Sequence, residues 1–356
     1  MELEKIRKEI DSIDRELLKL LNQRLELGLK TKRHKKKISD PAREAEILEK
    51  LGRLSRAYSL ARPDFIEKLF KSIFLESRRI QKQNKTLIGF QGEHGAFGEV
   101  AAGSYDPALV PVPCDAFADV FEGVEQGDLD LGIVPVENSA GGAITQVNEL
   151  LIKSTLKIVG AVRLRIDHCL LQPPDSSWRE IRMVYSHSQA LSQCRGFLSR
   201  NKLEARPFYD TAGAAKMLAR EKPKMAAAIA SALCAEIYNL EIVKQNIQDF
   251  KNNFTRFLIL SPTDGKNDSA DKCSIIFSTP HRAGTLFSVL KIFADERINL
   301  TRIESLPDRD DPGNYIFFLD FQKDGIKERV PIILENVREK TAKLKYLGCY
   351  TEEVIE

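Results

Sequence analysis

No Cys-x-x-Cys pair occurs in this 356-residue chain, and its six cysteines (Cys114, Cys169, Cys194, Cys234, Cys273 and Cys349) are widely scattered. That spacing indicates neither a zinc site nor a disulfide framework. The expectation is buried, reduced thiols in a cytosolic protein. No apolar stretch approaches membrane-spanning length. The N-terminus is charged from Glu2 onward and lacks the apolar core of a signal sequence. The run Gly92-x-x-Gly95-x-x-Gly98 lacks the dinucleotide spacing, and no Gly-Lys-[Ser/Thr] follows it. Its glycines read as a tight turn with close backbone approach, not as a phosphate loop.

What is present is a soluble globular composition, 43% apolar and 29% charged. The length suggests two or three domains. Charge is unevenly placed. Residues 1–85 hold 23 Lys and Arg against 14 Asp and Glu, a net of +9, whereas the whole chain is +3 and the remainder therefore −6. A basic N-terminal module argues for anionic ligands, either nucleic acid or a small dicarboxylate. No aromatic residue interleaves the cations of Lys30 to Lys37, which argues against a nucleic-acid-binding run.

Leu3, Ile6, Ile10, Ile13, Leu17, Leu20, Leu21 and Leu25 recur at three- and four-residue steps, with no proline before Pro41 and Gly28 the only glycine of that stretch. This predicts one long amphipathic helix. Asp40-Pro41 offers an N-cap and first-turn proline for a second helix to about Leu54. Pro63-Asp64 opens a third, from Phe65 to about Lys82. Such helices enclose little core alone, so a second copy of the chain is expected. Arg7 and Arg24 lie 17 residues apart, about 25 Å along a helix. One small ligand cannot touch both from the same helix, but it can reach Arg24 of one chain and Arg7 of an antiparallel partner. Arg24 and Lys35 share a helical face, as do Asp40 and Glu44, and Ser77 and Gln81.

The pattern Ile6-Arg7-x-x-Ile10-Asp11-x-Ile13-Asp14-x-x-Leu17-Leu18-x-Leu20-Leu21-x-x-Arg24 resembles the first helix of the all-helical chorismate mutases. Ile38-x-Asp40-x-x-Arg43-Glu44 and Glu76-Ser77-x-x-x-Gln81 match that family's later motifs. The resemblance implies that Arg24 and the partner's Arg7 hold the two carboxylates of chorismate. It implies that Lys35 and Gln81 donate to the ether oxygen, and that Asp40, Glu44 and Ser77 orient the substrate. An intramolecular rearrangement needs no nucleophile, only a held conformer and stabilised charge on one oxygen. The plain alternative is a structural dimerisation arm.

Residues 86–262 alternate strand and helix patterns, which implies α/β layers with mostly parallel strands. Glu137-Asn138-Ser139, Ser186-His187 and Asp210-Thr211 fall at the carboxyl ends of strands, where such folds bind ligands. The segments Pro135-Val136-Glu137-Asn138-Ser139-x-x-Gly142, Ile166-Asp167-His168-Cys169-Leu170, Ser186-His187-x-Gln189, Thr211-Ala212-x-Ala214-Ala215 and Asn253-x-Thr255-Arg256-Phe257 together resemble prephenate dehydratase. The resemblance implies two α/β lobes around a cleft, like type 2 periplasmic binding proteins. Thr255 is then the candidate donor to the departing hydroxyl, with Phe257 beside it. Asn138, Ser139, Ser186, Gln189 and Thr211 are its polar surroundings. Arg256 either pairs with a substrate carboxylate or braces the loop, since strand alternation faces it away from Thr255 and Phe257. His187 reads as a general acid or as a strand-end cap, and His168, within an apolar run, as structural. Gly98 and Ser188 depart from the family pattern, which commonly has a hydroxyl residue and a proline there. The arogenate dehydratases share these motifs, and a solute-binding module is the non-enzymatic alternative.

Pro262 to Ser269 reads as a polar linker. The order strand, helix, strand, strand, helix, strand that follows is ferredoxin-like. His281-x-x-Gly284-x-Leu286 and Asn299-Leu300-Thr301-x-Ile303-Glu304-Ser305 resemble the ACT domain, a regulatory amino-acid-binding fold. That implies phenylalanine bound at a subunit interface by Gly284, Leu286, Asn299, Glu304 and Ser305. Leu306 stands where the family commonly has Arg, which predicts weakened or altered effector binding. The expectation is a multidomain chain: mutase helices at 1–85, a dehydratase at 86–262 and an ACT domain at 272–352. It takes chorismate and prephenate as substrates, uses no cofactor, and forms a homodimer or higher oligomer without nucleic acid or membrane.

Overall fold

The computed structural model describes residues 2–35, 37–174, 176–265, 269–309, 311, 313–323 and 327–356. Lys36 of the basic run, and Lys266, Asn267 and Asp268 of the expected linker, lie outside the described residues. The chain divides into two compact units, Met1–Thr86 and Leu87–Glu356.

The first unit is helical: α1 (Glu2–Arg33), α2 (Pro41–Ser55) and α3 (Pro63–Lys82). Asp40 caps α2, its carboxylate accepting from the Arg43 N–H at 3.1 Å. Such a cap stabilises a helix by about 1 kcal/mol. Gly28 lets α3 approach α1, since a Cβ there would sit 2.7 Å from the Ser77 hydroxyl. Along the first half of α1, Leu3, Ile6, Ile10, Ile13 and Leu17 remain about half exposed or more. An apolar stripe left uncovered on so long a helix is what a partner helix buries.

The second unit begins with β1 (Leu87–Gln91), α4 (Phe97–Tyr105), β2 (Val110–Cys114), α5 (Phe117–Glu125), β3 (Leu131–Asn138) and β4 (Gly142–Ala143). There follow α6 (Thr145–Lys153), β5 (Lys157–Arg165), β6 (Cys169–Gln172), β7 (Met183–His187), α7 (Ser188–Gln193), α8 (Arg195–Arg200) and β8 (Glu204–Phe208). Then come α9 (Thr211–Glu221), β9 (Ala226–Ala230), α10 (Ala232–Tyr238), β10 (Glu241–Lys244) and β11 (Phe254–Ser261). The C-terminal part is β12 (Lys272–Thr279), α11 (Thr285–Asp295), β13 (Leu300–Pro307), β14 (Tyr315–Gln322), α12 (Val330–Lys340), β15 (Lys343–Tyr350) and β16 (Glu352–Ile355).

One lobe holds the sheet β16-β5-β11-β3-β1-β2, with β4 beside β3, and the other holds β10-β6-β9-β7-β8. Contrary to the mostly parallel expectation, both sheets are mixed. β11 runs antiparallel to both β3 and β5, and β6 runs antiparallel to β9 and β10. The reason is connectivity: the chain leaves the first lobe after β5 and re-enters it as β11, inserting a return strand between existing ones. Small residues fill the second lobe, where Ala226 to Ala230 of β9 are all buried beneath α9.

The C-terminal sheet has the order β13-β14-β12-β15, a ferredoxin-like arrangement with α11 and α12 on one face. β15 crosses β5 so closely that a Cβ on Gly348, whose φ is +135°, would strike the Ile158 carbonyl. After Tyr350 the chain turns and adds β16 in parallel to β5. The cysteine expectation needs correction here. Cys273 and Cys349 are directly opposed on β12 and β15 and joined through sulfur, while Cys114, Cys169, Cys194 and Cys234 form no disulfide. Cross-strand opposition, which brought these two together, is not visible in a spacing of 76 residues.

Because β16 supplies both a strand partner for β5 and the Glu352 carboxylate described below, removing residues 351–356 is expected to lower the melting temperature of the second unit by several degrees. Chorismate turnover should not change. Differential scanning calorimetry of the full and shortened chains checks this.

Candidate active sites

In the helical unit a cavity of about 250 Å³ is walled by α1, α2, α3 and the α1–α2 turn. Arg24, Lys35, Asp40, Glu44, Ser77 and Gln81 all face it. Arg7 lies outside this wall, on the exposed first turns of α1. Arg24 packs its guanidinium over the rings of Phe74 and Phe70, at 5.2 and 5.8 Å. Burial lowers its pKa, yet arginine remains charged at any working pH. Lys35 lies 3.8 Å from Asp40. Gln81 is buried and donates to the Ser77 hydroxyl at 3.1 Å, while its Oε1 is buried without a hydrogen-bond partner. Two arginines given no role from the sequence line the same cavity, Arg43, which stood within a quoted motif, and Arg78, which did not. Arg78 grips Glu44 through both carboxylate oxygens, at 2.5 and 2.7 Å. Its place next to Ser77 is the signal that could have found it.

The second cavity, about 540 Å³, opens between the two α/β lobes. Asn138, Thr255 and Phe257 face it from the first lobe, and His168, His187, Gln189, Gln193 and Thr211 from the second lobe and the crossing between them. Asn138 is its hub. Its amide donates to Thr255 Oγ1 at 2.9 Å, to Asn253 Oδ1 at 2.9 Å and to the Phe254 carbonyl at 3.2 Å. Its Oδ1 accepts from the Ala140 and Gly141 N–H groups and from Gln193. A Thr hydroxyl that already accepts keeps its own hydrogen for another acceptor. Thr255 is thus a fixed donor at the cavity wall, only 8% exposed.

Gln193 was not anticipated. It accepts on Oε1 from His168 Nε2 at 2.8 Å and from Asn253 at 3.2 Å, and donates to Asn138 at 3.1 Å. Its spacing from Gln189, one helical turn on α7, was the available signal. Because the amide oxygen only accepts, His168 carries its hydrogen on Nε2. Its Nδ1 is buried with no partner, and burial lowers its pKa. His187 caps α7, its Nδ1 accepting from the Gln189 N–H at 3.3 Å. Asp210 caps α9 directly before Thr211, and burial raises its pKa.

Three expected site residues face elsewhere. Ser186 is fully buried and donates to the Ile229 carbonyl at 2.6 Å, tying β7 to β9. Ser139 donates to the Asn252 carbonyl and accepts from the Phe254 N–H, joining the ends of β3 and β11. Arg256 turns away from the cavity, as its place between Thr255 and Phe257 demands. It meets Asp320 at 2.5 Å, Glu352 at 2.9 Å and the Tyr350 hydroxyl at 2.8 Å, all in the C-terminal part. Of the expected effector residues, Gly284 caps α11 with φ +85° and Leu286 packs on the core beneath it. The Asn299 carbonyl accepts from Gln322, and Glu304 and Ser305 lie on the edge strand β13.

The prephenate dehydratase family profile matches residues 88–265, the chorismate mutase type II profile residues 6–82, and the ACT profile residues 274–329. A bifunctional chorismate mutase/prephenate dehydratase from Aquifex aeolicus is 35% identical across 100% of this chain and 99% of its own length. The chain belongs to this bifunctional family. Arogenate dehydratase/prephenate dehydratase 2 of Arabidopsis thaliana is 39% identical over 76% of this chain and 74% of its own length. The solved prephenate dehydratase of Arthrobacter aurescens in complex with L-Phe covers 75% of this chain and 90% of its own, with a TM-score of 0.68 at 28% identity. Among the described residues no group of three His, Cys, Asp or Glu could hold a metal, and no helix is long and apolar enough to cross a membrane.

His168 gives the dehydratase unit an acid limit. Its folded pKa lies below the ordinary value of about 6.5. As pH falls below that value the unfolded chain binds a proton that the folded one refuses, so stability is lost on acidification and untouched above it. His168→Gln, which cannot titrate, should make the slope of stability against pH between 5 and 6.5 shallower by up to about one proton. Urea unfolding at a series of pH values measures it.

Proposed function

We propose that the helical unit holds chorismate for rearrangement to prephenate, and that the two-lobed cavity converts prephenate to phenylpyruvate, water and carbon dioxide. The working domains are 1–85, 86–262 and 272–352. The observation that carries the dehydratase reading is the Asn138–Thr255 pair, which leaves one aimed hydroxyl donor in a cavity between lobes. The bond from the ring to its carboxylate breaks and its two electrons enter the ring. The ring C–O bond breaks with its electron pair, and the departing hydroxide takes up one proton from solvent to leave as water. Aromatisation drives both. Thr255 stabilises the departing oxygen by hydrogen bonding, since an alcohol is a weak acid. Gln189, His187 and Thr211 line the space for the rest of the substrate. Arg256, Ser139 and Ser186 support the strands that carry these groups.

For the mutase, Arg24 meets one chorismate carboxylate and Arg7 of the partner subunit the other. Lys35 and Gln81 face the ether oxygen as charge develops there. Asp40, Glu44 and Ser77 orient the ring. The exposed stripe of α1 supports a homodimer built on that helix. A second self-association, along the edge strand β13, would place Gly284, Leu286, Asn299, Glu304 and Ser305 at an interface where phenylalanine binds and inhibits. Four of the six cysteines, Cys114, Cys169, Cys194 and Cys234, remain thiols, which supports a cytoplasmic location even though Cys273 and Cys349 are paired. A second reading, arogenate as dehydratase substrate, is favoured by the Arabidopsis relative named for both substrates.

Supplied with chorismate alone, the purified chain should accumulate phenylpyruvate, and phenylalanine should slow it. Accumulated prephenate with no phenylpyruvate would remove the prephenate reading, and turnover of added arogenate would then establish the second one.

Sharing of the mutase site has its own test. Arg7→Ala and Arg24→Ala chains should each be nearly inactive. Refolded together in equal amounts, they should recover about one quarter of wild-type mutase activity, because half the dimers carry one intact site of two.

A further inference from the structure

Arg256 is flanked by two cavity residues, Thr255 and Phe257, yet its own side chain leaves the dehydratase lobes and is 5% exposed. It ends among C-terminal groups. Asp320 on β14 takes Nη1, Glu352 on β16 takes Nε, and Tyr350 on β15 takes Nη2. Ser274 on β12 fixes the far side of this cluster, donating to the other Asp320 oxygen at 2.6 Å and lying 2.6 Å from the Tyr350 hydroxyl. Lys272 reaches Glu352 at 2.7 Å. Three strands of the C-terminal sheet and the β16 tail therefore converge on one guanidinium. With its three nitrogens each given a different partner, the buried guanidinium is fixed in direction as well as charge.

A second contact approaches the same cavity wall through α6. Arg302 on β13 donates to the buried Asn148 of α6 at 3.0 Å, and the residues just before Asn148, Ile144 and Gln146, line the cavity. Glu137, paired with Arg256 in register and next to Asn138, lies 3.8 Å from Arg256 and 3.7 Å from Arg302. Its carboxylate joins the two cations that bind the C-terminal part to the cavity wall.

We propose that Arg256 is a positioning residue for dehydration, and that Asp320 sets, through Arg256, where β11 presents the Thr255 hydroxyl. The C-terminal sheet thereby reaches the chemistry through a charge network and not only through packing. This rests on the dehydratase reading above. A cation drawn toward Asp320 holds β11 in one register against β3. With that carboxylate neutralised, Glu352 at 2.9 Å and Glu137 at 3.8 Å are the carboxylates left to Arg256.

The test uses the full chain carrying Asp320→Asn, with Asp320→Glu as the conservative variant. The mutase activity of the same chain serves as internal reference. The expected result is a loss of about tenfold in kcat for prephenate with KM within twofold of wild type, unchanged mutase kcat, and partial recovery in Asp320→Glu. Wild-type kcat in a folded Asp320→Asn protein would overturn the proposal. So would a loss matched by equal loss of folded protein in calorimetry. Should Asp320→Asn fail to fold, Ser274→Ala keeps the carboxylate but removes one donor to it. That variant should lower kcat about threefold, and an unchanged kcat there would overturn the proposal. A wild-type chain that makes no phenylpyruvate from prephenate at all would instead remove the dehydratase reading itself.

Discussion

The amide of Asn138 holds the dehydratase half together. It makes hydrogen bonds in six directions, to three segments far apart in sequence: the end of β3, the re-entry of the chain at Asn253 to Thr255, and α7 through Gln193. No aspartate could replace it, because a carboxylate cannot donate to Thr255. No apolar residue could, because the buried partners would be left unpaired. Since each partner saturates another, the orientation of Thr255 follows from the wiring around it. In the role proposed for Thr255, a donor fixed before substrate arrives needs no reorganisation during the reaction.

The helices of the first unit were legible because one face of each carries its apolar residues, and because Asp40-Pro41 and Pro63-Asp64 mark where chains turn. The central strands β3, β7 and β9 were legible as short apolar runs. The strands β2, β8, β10 and β16 were not, and each lies at a sheet edge. Pro111, Pro113 and Pro207, and charges such as Glu241 and Glu353, occupy positions that edge strands tolerate and central strands do not. Strand direction was misjudged for a different reason. Whether a strand is parallel depends on where the chain re-enters a sheet, and β11 re-enters after a whole lobe.

The site residues divide along similar lines. Thr255, Asn138, His187, Gln189 and Thr211 stand at strand ends or helix starts, where a side chain faces a cleft. Ser139 and Ser186 stand beside them in sequence but satisfy backbone carbonyls, a role that short hydroxyl side chains often take. Arg256 shows the value of alternation taken literally: two residues of the triplet face the cavity, so the middle one cannot. Gln193 and Arg78 carried no signal except helical spacing and proximity to a suspected partner.

The pairing of β16 with β5 has a consequence for how this protein is made. β5 emerges near residue 157 and its parallel partner near residue 352. At the usual 5–20 residues per second of synthesis, roughly 10–40 s separate the two. Throughout that interval the outer edge of β5 offers unpaired backbone groups to any strand that meets it, while the helical unit has long been free to fold. The dehydratase half is thus the part of this chain most exposed to mispairing during its birth, and the nascent chain between those two strands is the state that a holding chaperone protects.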